Sequence, residues 1–300
     1  MSRLYAEVRG NGPALVLLHG WGLNLRVWDG LIAALDDRFQ FIAVDLPGHG
    51  RSGWLPERSS LEEQAAQVRE TVAGITAEYF LLGWSLGGQI ALQLAARQAT
   101  SSRPAASQAA APQPTTPRAA TPHAAAGRHA APAAAIRRLV LIAATPRLTT
   151  APDWPHGSPP ERLAAQAEGL RTDYRRTVSD FLELQVRASS GGAEALAQLR
   201  AALFAHGADE AAVSAHPAAL ARGLELLRDT DLRPLLAGIT LPTLVIAGQY
   251  DRVTMPAASQ ALADALPNGR YVEIHRAAHA PFLSHLPELG ALVSDFLLRP

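Results

Sequence analysis

Ser85 stands at the centre of Gly83-Trp84-Ser85-Leu86-Gly87, with the apolar pair Leu81-Leu82 before it and the helical run Gln89 to Arg97 after it. A serine so placed can be a nucleophile: a sharp strand-to-helix turn exposes its hydroxyl, and the glycines permit the strained backbone and its close neighbours. The pentapeptide alone is weak, because a loop with a solvated serine has the same spelling. Acyl transfer by serine also needs a base, an acid to orient the base, and two backbone N–H donors for the developing oxyanion.

Each of these partners has a candidate. Asp251 closes the turn Gly248-Gln249-Tyr250-Asp251 after the apolar run Thr243 to Ala247. His279 follows the next such run, Tyr271-Val272-Glu273-Ile274, in the loop Ala277-Ala278-His279-Ala280-Pro281-Phe282. Serine, acid and histidine thus occur in the chain order of α/β hydrolases, each beyond the carboxyl end of a strand, where open α/β sheets bind ligands. His275 ends a strand, His285 lies in the following segment, Asp229 and Asp231 belong to a helical turn, and Asp45 sits in the turn Asp45-Leu46-Pro47-Gly48-His49-Gly50, so these rivals fit less well. The oxyanion donors are expected from Leu86, the residue after the nucleophile, and from Trp21 in His19-Gly20-Trp21-Gly22.

The elements that must position these residues are legible as continuous apolar runs. Ala14 to Leu18, Phe41 to Val44, Tyr79 to Leu82, Leu139 to Ile142 and Leu244 to Ala247 show no polar alternation, as expected of strands covered on both faces. Helical stretches lie between them, Trp28 to Leu35 and Leu61 to Ile75, the latter opened by Ser59 or Ser60 as N-cap with Glu62 and Glu63 in its first turn. Strand and helix in alternation predict a mainly parallel doubly wound sheet; together with the serine turn and the order of serine, acid and histidine, and a block of helices inserted before Leu244 as a cap, the expectation is an α/β-hydrolase fold. The core is expected at residues 1–145 and 233–300 and the cap at 146–232, helical throughout. Helix signals in the cap are Ser158-Pro159-Pro160-Glu161 and the apolar spacing of Val178, Phe181, Leu182 and Leu184. The stretch at about 100–135 is almost all Ala, Pro, Ser, Thr, Gln and Arg and is expected to be a disordered insertion. Its His123 and His129 lack the Cys or carboxylate neighbours of a metal site.

Composition narrows the remaining classes. The 300 residues include 48% hydrophobic and 18% charged side chains, enough for a sizeable core. Lys+Arg 27 against Asp+Glu 27 leaves no net charge, so no global field points to nucleic acid or a membrane surface. Every basic residue is Arg, most simply a compositional bias of the source. With no cysteine there is no disulfide framework, thiol nucleophile or Cys metal site. The first residues, MSRLYAEVRG, lack the apolar stretch of a signal peptide, and no run approaches a membrane span, so a cytoplasmic protein is expected. No phosphate-cradling loop or metal cluster is visible, and no cofactor is expected.

Four segments carry a more specific likeness: His19-Gly20-Trp21-Gly22-Leu23-Asn24, Val44 to Ser52, Leu82 to Gly88 and Ala277 to Phe282. With the cap segments Asp153-Trp154-Pro155, Arg176-Thr177-Val178, Phe181 to Gln185 and Gly223 to Arg233, they make the chain resemble the pimeloyl-[acyl-carrier protein] methyl ester carboxylesterases of biotin synthesis. The resemblance spans nearly the whole chain except 100–135. It implies hydrolysis of the methyl ester of pimeloyl carried on acyl-carrier protein. It carries over a triad of Ser85, Asp251 and His279, oxyanion donors Trp21 and Leu86, and a substrate-lining segment Phe181, Leu182, Glu183, Leu184 and Gln185. It also implies carrier docking by cap arginines, matched here by Arg175, Arg176 and Arg200, whereas Asp180 stands where a further arginine is expected. A monomer that binds neither nucleic acid nor membrane fits this picture. Two other readings remain at this point: a broad carboxylesterase for short acyl esters, and a non-catalytic receptor of the same fold that binds a small ligand.

Overall fold

The structure, a computed structural model, describes residues 3–101, 134–204 and 215–299. Most of the Ala/Pro-rich insertion, including His123 and His129, lies outside these residues.

Seven strands form one sheet in the order β1-β3-β2-β4-β5-β6-β7. They are β1 (Ala6–Arg9), β2 (Ala14–Leu18), β3 (Gln40–Val44), β4 (Glu78–Trp84), β5 (Ala135–Ile142), β6 (Thr243–Gly248) and β7 (Gly269–Ile274). All neighbouring pairs are parallel except β1 with β3. The unbroken apolar runs have their physical reason in the two layers that cover them. Leu15 to Leu18 are wholly buried, Val16 and Leu18 facing one half of the core and Leu15 and Leu17 the other. The antiparallel edge strand β1 escapes sequence reading because only Val8 among its side chains is strongly apolar, and that residue is exposed.

The helices of the core are α1 (Asp29–Leu35), α2 (Leu61–Val72), α3 (Leu86–Ser101), α8 (Arg233–Leu236), α9 (Pro256–Ala265), α10 (Pro281–Ser284) and α11 (Leu286–Leu298). The expected Trp28 to Leu35 helix is preceded by a 3-10 turn over Leu25–Trp28, which Asn24 caps by accepting from the Arg26 amide. Of the two serines before α2, Ser60 is the cap, accepting from Glu63 N at 3.2 Å. That helix stops at Val72, short of Ile75.

Between β5 and β6 lie the cap helices α4 (Pro160–Thr172), α5 (Tyr174–Val186), α6 (Gly192–Phe204) and α7 (Pro217–Asp229). The inserted segment is not helical throughout. Residues 146–159 form an irregular strap with isolated bridges Thr149 to Ser158 and Ala151 to Trp154, because Pro152, Pro155 and Pro159 deny it a helical backbone. No helix among the described residues is long and apolar enough to cross a membrane.

Candidate active site

Strand β4 delivers Ser85 into a backbone conformation that L-residues avoid, with φ +55°. The turn is held from both sides: Ser85 N donates to Ile142 O at 3.1 Å, and Ser85 O accepts from Gly88 N at 2.9 Å. Its glycines are steric requirements. A Cβ on Gly83 would lie 2.4 Å from Gly87 O, and one on Gly87 would lie 2.4 Å from Leu18 O. The strained turn therefore packs directly on the end of β2, which leads into the loop carrying Trp21.

Asp251 and His279, set beyond β6 and β7, meet at 2.8 Å between Oδ2 and Nδ1, both buried. A carboxylate can only accept, so His279 carries its proton on Nδ1 and keeps the Nε2 lone pair free to act as a base. The other carboxylate oxygen accepts from Val253 N at 2.8 Å and Thr254 N at 2.9 Å, which fixes the acid's orientation. The backbone of His279 is clamped as well. Its N–H donates to Gln185 O at 2.9 Å, and its carbonyl accepts from the indole N–H of Trp84, the residue before the nucleophile, at 2.8 Å.

Of the two expected oxyanion donors, Leu86 follows Ser85 in the chain and Trp21 borders the same cavity as Ser85. Leu86 opens α3, so its N–H has no acceptor within the helix. Trp21 sits in the loop after β2, where the Gly20 carbonyl accepts from His19 Nδ1 at 2.8 Å and from Leu23 N at 3.4 Å. In a trans peptide the following N–H points the other way, so the bonds that hold the Gly20 carbonyl turn the Trp21 N–H to the opposite side. His49 steadies the next peptide by accepting from Gly22 N at 3.3 Å. Both histidines are buried, and desolvation pushes His19 down to about 4 and His49, with His19 beside it, to about 3. Each is neutral at pH 7 and can accept as well as donate. Sequence reasoning passed over this pair because nothing local links a histidine after β2 to one in the β3 turn. Asp45 is occupied with that turn, accepting from Leu25 N at 2.8 Å and Arg51 N at 2.9 Å.

Trp21 also reaches into the cap. Its indole Nε1 donates to Leu220 O at 2.9 Å and its ring packs edge-on against Phe181, 5.0 Å between centroids. Helix α7 approaches so closely that a Cβ on Gly223 would lie 2.6 Å from Trp21 Cδ1. Ser85, Trp21, Phe181, Leu184 and Leu224 border a cavity of about 40 Å³. Of the remaining segment on α5, Leu182 is buried in the core, Gln185 is buried with its side-chain amide unpaired among the described residues, and Glu183 faces solvent. Glu183 pairs with Arg200 at 3.0 Å, and Arg176 lies 3.7 Å from Asp180, so both of these arginines have acidic neighbours on an exposed face. Arg175 is on the same helix, α5.

Sheet order, cap insertion and strained serine turn define a class of protein, and residues 13–286 match the alpha/beta hydrolase fold family. Among solved structures, an esterase from Exiguobacterium antarcticum superposes with a TM-score of 0.77 at 21% identity, covering 99% of this chain and 96% of its own. An enol-lactonase from Burkholderia xenovorans does so at 0.72 with 25% identity, covering 99% and 96%. Curated relatives are more specific. The pimeloyl-[acyl-carrier protein] methyl ester esterase of Nitrosomonas europaea is 34% identical over 285 residues, 95% of each chain. That of Stenotrophomonas maltophilia is 35% identical over 294 residues, 98% of this chain and 96% of its own. The chain belongs to this family of α/β-hydrolase esterases.

Proposed function

We infer that the protein is a serine carboxylesterase that hydrolyses the methyl ester of pimeloyl-[acyl-carrier protein] to pimeloyl-[acyl-carrier protein] and methanol in biotin synthesis. The observation that carries this reading is a likeness extending over 95% of the chain, cap included, to esterases named for that substrate. Caps differ between families that share the sheet, so a likeness through the cap bears on the substrate as well as on the chemistry.

In this scheme Ser85 Oγ attacks the ester carbonyl while His279 Nε2 takes its proton. The tetrahedral oxyanion is met by the N–H groups of Trp21 and Leu86. Collapse breaks the bond to the methoxy oxygen, which leaves as methanol with the proton from His279. Water then adds to the acyl-serine by the same route, freeing the carboxylate and restoring Ser85. Asp251 holds the imidazole in its Nδ1–H tautomer and stabilises the imidazolium. No step needs a metal or cofactor.

The carrier protein is the partner in this reading, and a cytoplasmic monomer its setting. Arg175, Arg176 and Arg200 are the cap residues suited to an acidic carrier surface. The test is hydrolysis of carrier-linked pimeloyl methyl ester beside a short p-nitrophenyl ester, with Ser85→Ala as control. Turnover of the carrier substrate that Ser85→Ala abolishes is expected. Turnover of the short ester alone would favour a broad carboxylesterase, and none of either would leave the receptor reading.

A further inference from the structure

The wall of the cavity over Ser85 includes a polar side chain that the hydrolytic scheme does not use. Gln166, on α4, borders the same cavity as Ser85 and Trp21. Its Nε2 is buried and has no hydrogen-bond partner among the described residues. An amide N–H kept from water without an acceptor is costly, and such groups are rare unless something else supplies the acceptor. Much of the neighbouring wall is apolar, from Leu163, Phe181, Leu184 and Leu224, and can offer none. The adjacent cation is engaged elsewhere: Arg162 donates from Nη1 to Arg252 O at 3.0 Å.

We propose that Gln166 is a specificity-determining residue whose Nε2 donates a hydrogen bond to the second carbonyl of a diacyl substrate, the one that is not hydrolysed. This rests on the esterase reading above. The carbonyl under attack is met by Trp21 and Leu86 and leaves Gln166 without a role in the chemistry. A half-ester of a diacid carries another carbonyl at the far end of its methylene chain, a thioester when the chain is carrier-bound. A neutral amide suits a neutral carbonyl oxygen, whereas a free carboxylate would be better matched by a cation. A simple fatty ester offers only methylenes and leaves the donor unpaired, the situation in which sites built around a hydrogen bond reject an analogue that lacks it.

The test compares two carrier-free substrates of equal chain length, dimethyl pimelate and methyl heptanoate, by kcat/KM. After halving for its two equivalent esters, the diester is expected to be preferred by the wild type about tenfold, the factor that 1.4 kcal/mol gives. Gln166→Leu is expected to bring that ratio close to one. Gln166→Glu removes the donor when ionised and restores an O–H donor when protonated, so its ratio is expected to recover as pH falls. Any pH effect on the shared chemical step moves both substrates together and cancels from the ratio. A wild-type ratio near one, or a ratio that Gln166→Leu and Gln166→Glu leave unmoved, overturns the proposal, as does a site whose donor is satisfied by trapped water. Failure to hydrolyse either ester would instead sink the esterase reading itself.

Discussion

Gly223→Ala separates the stability of the cap from the geometry of the proposed oxyanion site. Gly223 lies inside α7, where alanine is the better helix former by up to about 1 kcal/mol. Against that gain, the new methyl carbon would sit 2.6 Å from Trp21 Cδ1 and 2.9 Å from Nε1, closer than real Cβ atoms come. Overpacking of this kind costs roughly 1–3 kcal/mol. The net loss is therefore about 0–2 kcal/mol, or a few degrees in Tm for a chain of this size. Catalysis should suffer far more. The indole cannot stay where it is, so its 2.9 Å bond to Leu220 O and its contact with Phe181 are strained, and the Trp21 N–H moves with its side chain. Misplacement by about 1 Å costs on the order of a hundredfold in rate, and a fraction of that shift still gives about tenfold. The expected result is a kcat for p-nitrophenyl acetate down about 10–100-fold with a Tm within several degrees of wild type. Gly30→Ala is the control, since nothing lies nearer than 3.8 Å to its added carbon. A Gly223→Ala protein that melts as described yet keeps wild-type kcat would refute the coupling of Trp21 to the cap.

Ser85→Ala and His279→Ala should each remove several orders of magnitude of ester turnover, and the double variant should be little worse than either, because nucleophile and base act as a unit. More than about a tenth of wild-type rate in Ser85→Ala would show that the chemistry lies elsewhere. His19 and His49, held near pH 4 and 3 by burial, stay neutral in the folded chain while their unfolded counterparts protonate below about pH 6.5, so stability should fall as pH drops from 6.5 to 4. The full penalty is on the order of 3 to 5 kcal/mol per histidine, and urea midpoints that do not fall between pH 7 and 4.5 would contradict it. Reversing the charge of Arg176 and Arg200 should lower kcat/KM for the carrier-linked ester at low salt and spare p-nitrophenyl acetate, since rim charges act mainly on association and are screened within ~8–10 Å. Equal loss on both substrates would indicate a misfolded cap.

The parallel strands were readable because burial on both faces leaves a mark that needs no partner to interpret: Leu15 to Leu18 spell a covered strand by themselves. The pentapeptide around Ser85 was readable for a similar reason, since a turn at φ +55° packed against Leu18 O tolerates few spellings. What stayed hidden depends on contacts between distant segments. Residues 199 positions apart join Trp21 to Leu220, and 195 separate Trp84 from His279. The unpaired amide of Gln166 has no sequence signature at all, because a glutamine in a helix of mixed polarity reads as an exposed one. The strap at 146–159 resists sequence reading because prolines that mark the start of a helix at Pro159-Pro160 also bar helix along its approach, and the two signals have the same spelling.

The cap is fastened unevenly, and the unevenness bears on how a long substrate reaches a site of about 40 Å³, well below the ~300 Å³ at which ordinary ligand pockets begin. Trp21 is tied to Leu220 O on α7, His279 to Gln185 O on α5, and Asn24, in the loop after β2, to Ala202 O on α6 at 2.9 Å. Lifting any of those helices breaks a bond to a residue of the proposed catalytic site or to its loop. Helix α4 packs on the core through Leu163, and its hydrogen bond to the core, Arg162 to Arg252 O, touches none of those catalytic candidates. A path that admits a diacyl chain and leaves the machinery assembled therefore runs past α4, the helix that bears Gln166.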